Sequence, residues 1–160
     1  IYFFNIVQLH PGQAIFQGAG VPHAYLEGQN IELMSNSDNV LRGGLTPKHI
    51  DVPELLKHIL FEGIVPQIMN GEKNGAETIY HCPVPDFEVS KIELDKKVIY
   101  HYTASSAKII LLTEGEAHII CNEQTLHIKK GEAVIAGANE LYNISSSSRA
   151  VLYKAGVATR

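Results

Sequence analysis

The chain has 160 residues, of which 45% are hydrophobic and 19% are charged. This balance supports an ordinary buried core and excludes an intrinsically disordered protein. The formal net charge is −4 and the basic residues are scattered, which excludes the polybasic stripe that nucleic acid requires. The apolar runs are too short to cross a bilayer, and the first residues lack the zones of a signal peptide, so we expect neither membrane insertion nor export.

The two cysteines, Cys82 and Cys121, are isolated and do not form a CxxC motif. This usage is typical of reduced thiols and not of a disulfide framework. We therefore predict a cytoplasmic protein.

The first third of the chain contains short apolar runs separated by turn residues. Residues 1–9 read as a strand that is already under way, since no initiator Met and no polar segment precedes them. We therefore expect a fragment whose first strand pairs with residues upstream. Residues 14–16, 21–26 and 30–34 are further predicted strands, and Gly28 is expected to supply the positive φ of a tight turn.

One helix is predicted to begin at Asp51 and to end near Gly63. Asp51 and Glu54 have the spacing of a capping box, and the apolar residues that follow have helical periodicity. Residues 64–79 are rich in turn residues, and we predict that they form a linker.

Eight segments after this linker have the length and composition of strands, with turn residues between most of them. They cover residues 87–94, 97–102, 108–113, 117–121, 125–128, 133–136, 141–144 and 150–154. Their even spacing predicts a mainly β fold of the jelly-roll type, with one short helical segment in the whole chain.

An internal repeat links the two halves of the sequence. Residues 11–20 align without gaps with residues 130–139, so the same turn, strand and turn occur twice. The chain is therefore predicted to contain pieces of two related barrels. The same register places His23 opposite Tyr142, so a histidine of the first barrel is absent from the second.

The candidate functional residues lie in the first barrel. His23 follows a proline on a predicted β frame that can aim its imidazole into a barrel mouth, although a lone histidine is also common as a structural residue. Glu32, Asp38, Arg42 and Lys48 are charges embedded in apolar sequence, where they need partners. Those partners are either one another, in a salt-bridged loop, or an anion, for which an arginine followed by two glycines is well suited.

A family resemblance becomes specific at these residues. The segments PHAYL (22–26), SDNVLRGGLTPK (37–48) and IDV (50–52), with Glu32 between the first two, resemble the signature region of type I mannose-6-phosphate isomerases. That family consists of zinc-dependent enzymes of the cupin superfamily. The resemblance implies an enzyme that interconverts mannose 6-phosphate and fructose 6-phosphate through a cis-enediol.

The resemblance also implies a role for each candidate residue. The family holds zinc with a glutamine, two histidines and a glutamate, and only one of these ligands, His23, falls in this sequence. Arg42 is implied to stabilise the negative charge of an enediolate, and Asp38 to take part in ring opening or proton transfer.

Three further residues are implied to contact the substrate or to steer it. Tyr25 and Glu32 are implied to orient its hydroxyl groups. Lys48 is implied to attract its phosphate, with a plain surface lysine as the alternative.

The parts of the chain can be assigned in the same way. Residues 1–63 resemble the C-terminal portion of a catalytic cupin barrel that is only partly present, with a connecting helix. Residues 80–160 resemble a non-catalytic C-terminal cupin domain, which we expect to be metal-free because Cys121, Glu123 and Tyr142 stand where metal-binding histidines would be expected. The expected partners are a small-molecule sugar phosphate and the missing N-terminal half of the same protein, and the fragment alone is expected to be inactive.

Two other functions are compatible with parts of the sequence. A non-catalytic cupin that binds sugars or acts as a scaffold would suit the incomplete set of metal ligands. A cupin of other chemistry, such as a sugar-phosphate epimerase or a dioxygenase, would suit the barrel but not the run of residues 38–48.

Overall fold

The computed structural model describes residues 4–37, 39–44 and 46–158. The chain divides into two compact units, Ile1–Met69 and Asn70–Arg160. Their boundary falls inside the predicted linker, residues 64–79, and this range also contains short strands.

The described residues form one helix, α1 (Val52–His58), and twelve strands. The strands are β1 (Ala14–Ile15), β2 (Ile68–Met69), β3 (Glu72–Asn74), β4 (Glu77–Tyr80), β5 (Glu88–Leu94), β6 (Ile99–Thr103), β7 (Lys108–Glu114), β8 (Glu116–Cys121), β9 (Gln124–Lys129), β10 (Ala133–Ala136), β11 (Leu141–Ser145) and β12 (Ala150–Gly156).

The first unit contains much less regular structure than the sequence predicts. Residues 4–9, 21–26 and 30–34 are not strands, so these strand predictions are wrong, and residues 1–3 lie outside the described residues. A strand is stable only when its N–H and C=O groups meet a neighbouring strand. In the described part of this unit the only such ladder joins β1 to β2, through Ala14 opposite Met69 and Ile15 opposite Ile68.

The helix begins where the sequence predicts and ends one turn earlier. The Asp51 carboxylate accepts a hydrogen bond from the backbone N–H of Glu54 at 3.0 Å, which caps the helix N-terminus. Ile59 is already extended, and the N–H of Leu60 donates to the carbonyl of Gly20 at 2.8 Å. The helix therefore stops at His58 because the next residues bond to the loop at Gly20.

The internal repeat is confirmed by matching turns in the two units. In the first turn the backbone N–H of His10 donates to the Gln13 side chain at 2.9 Å, and in the second the N–H of Lys129 donates to Glu132 at 2.7 Å. The glycines at the two turns, Gly12 and Gly131, both have a φ of +90°. The same local sequence has therefore folded into the same local structure twice.

The second unit is a sandwich of two antiparallel sheets. One sheet has six strands in the order β10-β7-β12-β5-β4-β3, and the other has four in the order β6-β11-β8-β9. All eight strands predicted after residue 86 are present, within a few residues at each end. The structure confirms a mainly β, cupin-type fold with one short helix among the described residues.

The core of this unit lies between the two sheets. Its side chains come from alternate positions along each strand, as expected when one face of a sheet is buried. The largest fully buried side chains are those of Tyr142, Ile92, Leu94, Ile110, Leu112, Ile144 and Leu152. In contrast, no described residue of the first unit is buried. No helix within the described ranges is both long enough and apolar enough to span a membrane.

Gly115, between β7 and β8, offers a test of this packing. Its φ is +81°, and a Cβ there would overlap the carbonyl oxygen of Arg149, whereas a Cβ at Gly131, with φ +90°, would meet nothing within 4 Å. Gly131→Ala should cost about 1–2 kcal/mol from the backbone conformation alone, and Gly115→Ala about 1–3 kcal/mol more because the backbone must move. Urea unfolding of both variants measures the difference, and equal destabilisation would contradict this packing.

Candidate functional site

Three of the predicted site residues lie together in the first unit. The Tyr25 hydroxyl donates a hydrogen bond to Glu32 Oε1 at 2.8 Å. The ring of His23 lies edge-on to that of Tyr25, with centroids 6.0 Å apart and an interplanar angle of 66°. All three side chains are exposed, so this cluster, His23–Tyr25–Glu32, presents its polar atoms at the surface.

The hydrogen bond of His23 determines which of its nitrogens can act as a ligand. His23 Nδ1 lies 3.0 Å from the carbonyl oxygen of Val21. A carbonyl only accepts hydrogen bonds, so Nδ1 carries the proton and the neutral ring keeps its lone pair on Nε2. Histidines that bind metals are commonly oriented by this kind of bond from the second nitrogen to a backbone carbonyl.

The surroundings of Tyr25 favour its protonated form. Partial burial, the hydrogen bond to Glu32 and the negative charge of that carboxylate all raise the pKa of Tyr25. Tyr25 therefore remains a hydrogen-bond donor at neutral pH. The pair presents one fixed hydroxyl and one carboxylate, which together can both donate to and accept from a polyol.

The other predicted site residues are not joined to this cluster by a described contact. Arg42 and Lys48 are exposed, and neither forms an ion pair with a described carboxylate. Gly44, two residues after Arg42, has a φ of +144° and open space beside it. Asp38 lies outside the described residues.

The described residues do not form a metal site by themselves. No three His, Cys, Asp or Glu side chains in the described ranges come together in an arrangement that could hold an ion. His23 is therefore a single candidate ligand, which does not hold zinc at useful affinity without others.

The comparisons with known proteins agree with one another. The family described as mannose-6-phosphate isomerase, cupin domain, matches residues 76–152. The mannose-6-phosphate isomerase of Escherichia coli is 44% identical over 138 residues, which is 85% of this chain. Mannose-6-phosphate isomerase 1 of Arabidopsis thaliana is 33% identical over 161 residues, which is 99% of this chain. A solved structure of the Salmonella typhimurium enzyme matches 79% of this chain with a TM-score of 0.65 and 39% identity.

The chain belongs to the mannose-6-phosphate isomerase family. It spans about 35% of the length of the E. coli relative and 32% of the Salmonella chain. That Salmonella structure contains fructose 6-phosphate as substrate and a zinc atom.

The cupin domain of this family member contains a buried polar network that the sequence analysis missed. Lys154 Nζ, on β12, lies 2.7 Å from Glu77 Oε1, on β4. The hydroxyl of Tyr100, on β6 of the other sheet, donates to Glu77 Oε2 at 2.6 Å and accepts from Lys154 Nζ at 2.7 Å. The same ammonium lies 3.4 Å from the centroid of the Tyr102 ring. The network therefore joins the two sheets through the core.

The pKa values in this network are set by burial and by its hydrogen bonds. Burial alone would raise the pKa of Glu77, but hydrogen bonds from Lys154 and Tyr100 and the positive charge of Lys154 together lower it. Burial lowers the pKa of Lys154, against the opposing effect of Glu77. The polar groups of this network form their strong hydrogen bonds with one another. That is typical of a structural element and not of a binding site.

One sequence signal could have revealed this network. Leu152 and Lys154 are two residues apart on one strand, so they point to the same side of the sheet. Leu152 is an obvious core residue, and a lysine in phase with it must be buried and paired.

Two smaller features of the cupin domain concern its histidines and its cysteines. The rings of His118 and His127 face each other across β8 and β9, with centroids 4.6 Å apart. Cys82 and Cys121 are both free thiols.

The buried ion pair can be tested against an exposed pair of similar length. Lys154→Ala leaves the Glu77 carboxylate buried without its partner, and should destabilise the protein by about 3–5 kcal/mol. Lys57→Ala removes an exposed ion pair to Glu54 with an N–O distance of 2.6 Å, and should destabilise the protein far less, because solvent screens exposed charges. Unfolding in urea measures both, and similar losses would show that the network does not hold the sheets together.

Proposed function

We propose that the chain is the C-terminal part of a zinc-dependent isomerase that interconverts mannose 6-phosphate and fructose 6-phosphate. The cluster His23–Tyr25–Glu32 carries this proposal, because it combines an imidazole with a lone pair on Nε2 and a fixed donor and acceptor for sugar hydroxyls. The Salmonella relative that is bound to fructose 6-phosphate and zinc supports the same substrate and metal.

A spacing in the relatives supports two members of the cluster. Two solved structures of the Salmonella enzyme are alanine variants of a histidine and of a glutamate that lie nine positions apart in that chain. His23 and Glu32 are nine positions apart in this chain. We assign His23 as a metal ligand because its Nε2 keeps a lone pair, and Glu32 as a substrate-binding residue because its carboxylate is paired with the Tyr25 hydroxyl.

The remaining residues are assigned from the chemistry of the reaction. A proton leaves C2 of the open-chain aldose and one is returned to C1, through a cis-enediol whose oxygens carry growing negative charge. Arg42 is the cation that stabilises this charge, and the open space beside Gly44 lets an anion approach the backbone nearby. Asp38 takes part in ring opening or proton transfer, Tyr25 orients substrate hydroxyls together with Glu32, and Lys48 attracts the phosphate.

Most of the zinc site is supplied by the rest of the enzyme. Only His23 is a candidate ligand here, and the fragment alone should therefore be inactive.

The first unit also leaves large apolar side chains exposed, including Phe4, Ile6, Leu26, Phe61 and Val65. Exposed apolar surface of this kind is typical of an interface, and we assign it to the N-terminal half of the same protein. The free cysteines are consistent with a cytoplasmic location.

A chimera tests the proposed function. This chain replaces the matching 35% of the E. coli isomerase, with which it shares 44% identity. The zinc-loaded chimera should convert mannose 6-phosphate to fructose 6-phosphate in a coupled assay. Arg42→Ala should lower kcat by roughly 100-fold or more, since it removes the cation that stabilises developing charge.

The controls separate catalysis from folding. Arg149→Ala removes an exposed arginine of the cupin domain and should leave kcat within about twofold of the parent chimera. Thermal unfolding should show the same Tm for both variants. Full activity of Arg42→Ala would contradict the assignment of Arg42, and turnover by the isolated chain with added zinc would contradict the claim that it is inactive alone.

A further inference from the structure

The turn that precedes His23 is hydrogen-bonded to the end of helix α1. The N–H of Leu60, two residues after the helix, donates to the carbonyl of Gly20 at 2.8 Å. The N–H of Val21 donates to the carbonyl of Gly18 at 3.3 Å, which closes the turn itself. The bond to the helix end therefore lies only three residues before the proposed zinc ligand.

Gly20 approaches the helix end too closely for a side chain to fit without a shift. Its φ is +76°, and a Cβ there would be 2.6 Å from the carbonyl oxygen of His58 and 3.1 Å from Cγ of Leu60. The His58 oxygen belongs to the backbone, so relieving this overlap would require the turn and the helix end to separate. Glycine provides both the positive φ and the close approach.

The same turn determines where the acceptor of His23 lies. The carbonyl of Gly20 and the N–H of Val21 belong to one planar peptide group. Leu60 bonds to the oxygen of this group and Gly18 to its N–H, so the plane is fixed on both sides. The next carbonyl, that of Val21, is the group that lies 3.0 Å from His23 Nδ1. Its position therefore depends on the contact between Gly20 and the helix.

The second unit has the same backbone conformation at the matching position. The internal repeat aligns Gly20 with Asn139, whose φ is +64°. The N–H of Asn139 donates to the carbonyl of Ala104, just after β6, at 2.6 Å. In both units the turn three residues before His23 or Tyr142 is thus hydrogen-bonded to a neighbouring segment through its backbone.

We propose that Gly20 and the end of helix α1 are positioning elements for the zinc site. Their contact holds the Val21 carbonyl where it accepts from His23 Nδ1 and so leaves Nε2 for the metal. This inference rests on the proposed function, in which His23 is a zinc ligand. Partners of this kind set the tautomer and ring direction of metal-binding histidines, and their loss typically lowers metal affinity by about 10–100-fold.

The test compares Gly20→Ala with Gly12→Ala in the chimera with the E. coli isomerase. Both glycines have a positive φ, +76° and +90°, but a Cβ at Gly12 would meet nothing within 4 Å. The two variants therefore carry a similar cost in backbone conformation, and only Gly20→Ala displaces the turn. Competition with a chelator should show zinc affinity reduced roughly 10–100-fold in Gly20→Ala and close to that of the parent in Gly12→Ala.

A measurement without metal separates positioning from a general loss of stability. In the zinc-free chimera labelled with ¹⁵N-histidine, the ring nitrogen shifts of His23 report its tautomer, and His23→Ala identifies its signals. The parent and Gly12→Ala should show the Nδ1–H tautomer, whereas Gly20→Ala should show a mixture of both. Hydrogen exchange provides a test that needs no variant, because the Leu60 amide of the parent should be protected by its bond to Gly20.

Three results would each overturn the proposal. They are an unchanged Nδ1–H tautomer in Gly20→Ala, a zinc affinity of Gly20→Ala equal to that of Gly12→Ala, and a Leu60 amide that exchanges as fast as an unprotected one. Failure of the proposed function gives a different result, since His23→Ala would then bind zinc as tightly as the parent. The tautomer comparison would still decide whether the turn positions His23.

Discussion

The second unit depends on the ion pair of Glu77 and Lys154 that Tyr100 bridges. The carboxylate and the ammonium come from one sheet and the hydroxyl from the other, so three buried hydrogen-bonded groups fix how the sheets face each other. Such a pair need not make the fold more stable than an apolar core would. It nevertheless restricts the relative position of the two sheets, because each of the three groups would be left buried and unpaired if the sheets shifted.

The two units differ in the interactions that stabilise them. The cupin domain has a continuous core between its sheets, whereas no described residue of the first unit is buried. The proposed catalytic residues all belong to the unit without a core. Their geometry therefore rests on local bonds, such as those of His23 to Val21 and of Tyr25 to Glu32, and on the part of the enzyme that we propose packs against this unit.

The sequence predicts the second unit better than the first for a physical reason. Its strands alternate apolar and polar residues and are separated by turns, so each can be recognised alone, and each finds a partner strand in the same unit. Residues 21–26 and 30–34 have similar composition but lack a ladder, so composition alone misleads. The strands β3 and β4 were missed because Glu72, Lys73, Asn74 and Glu77 give a polar pattern, and only the tertiary structure shows that Glu77 points to Lys154.

Sequence motifs likewise predict only part of the candidate site. Sequence motifs identified His23, Tyr25 and Glu32, and the structure brings these three together. The positions of Arg42 and Lys48 relative to them depend on contacts that this chain does not provide in its described part.

The proposed function requires that this chain contributes His23 to a zinc site completed by the rest of the enzyme. Anomalous diffraction at the zinc absorption edge, from crystals of the zinc-loaded chimera, locates the ion directly. We expect zinc at about 2.0–2.1 Å from His23 Nε2, with Nδ1 still donating to the carbonyl of Val21. A fully occupied zinc ion whose coordination does not include this imidazole would contradict it.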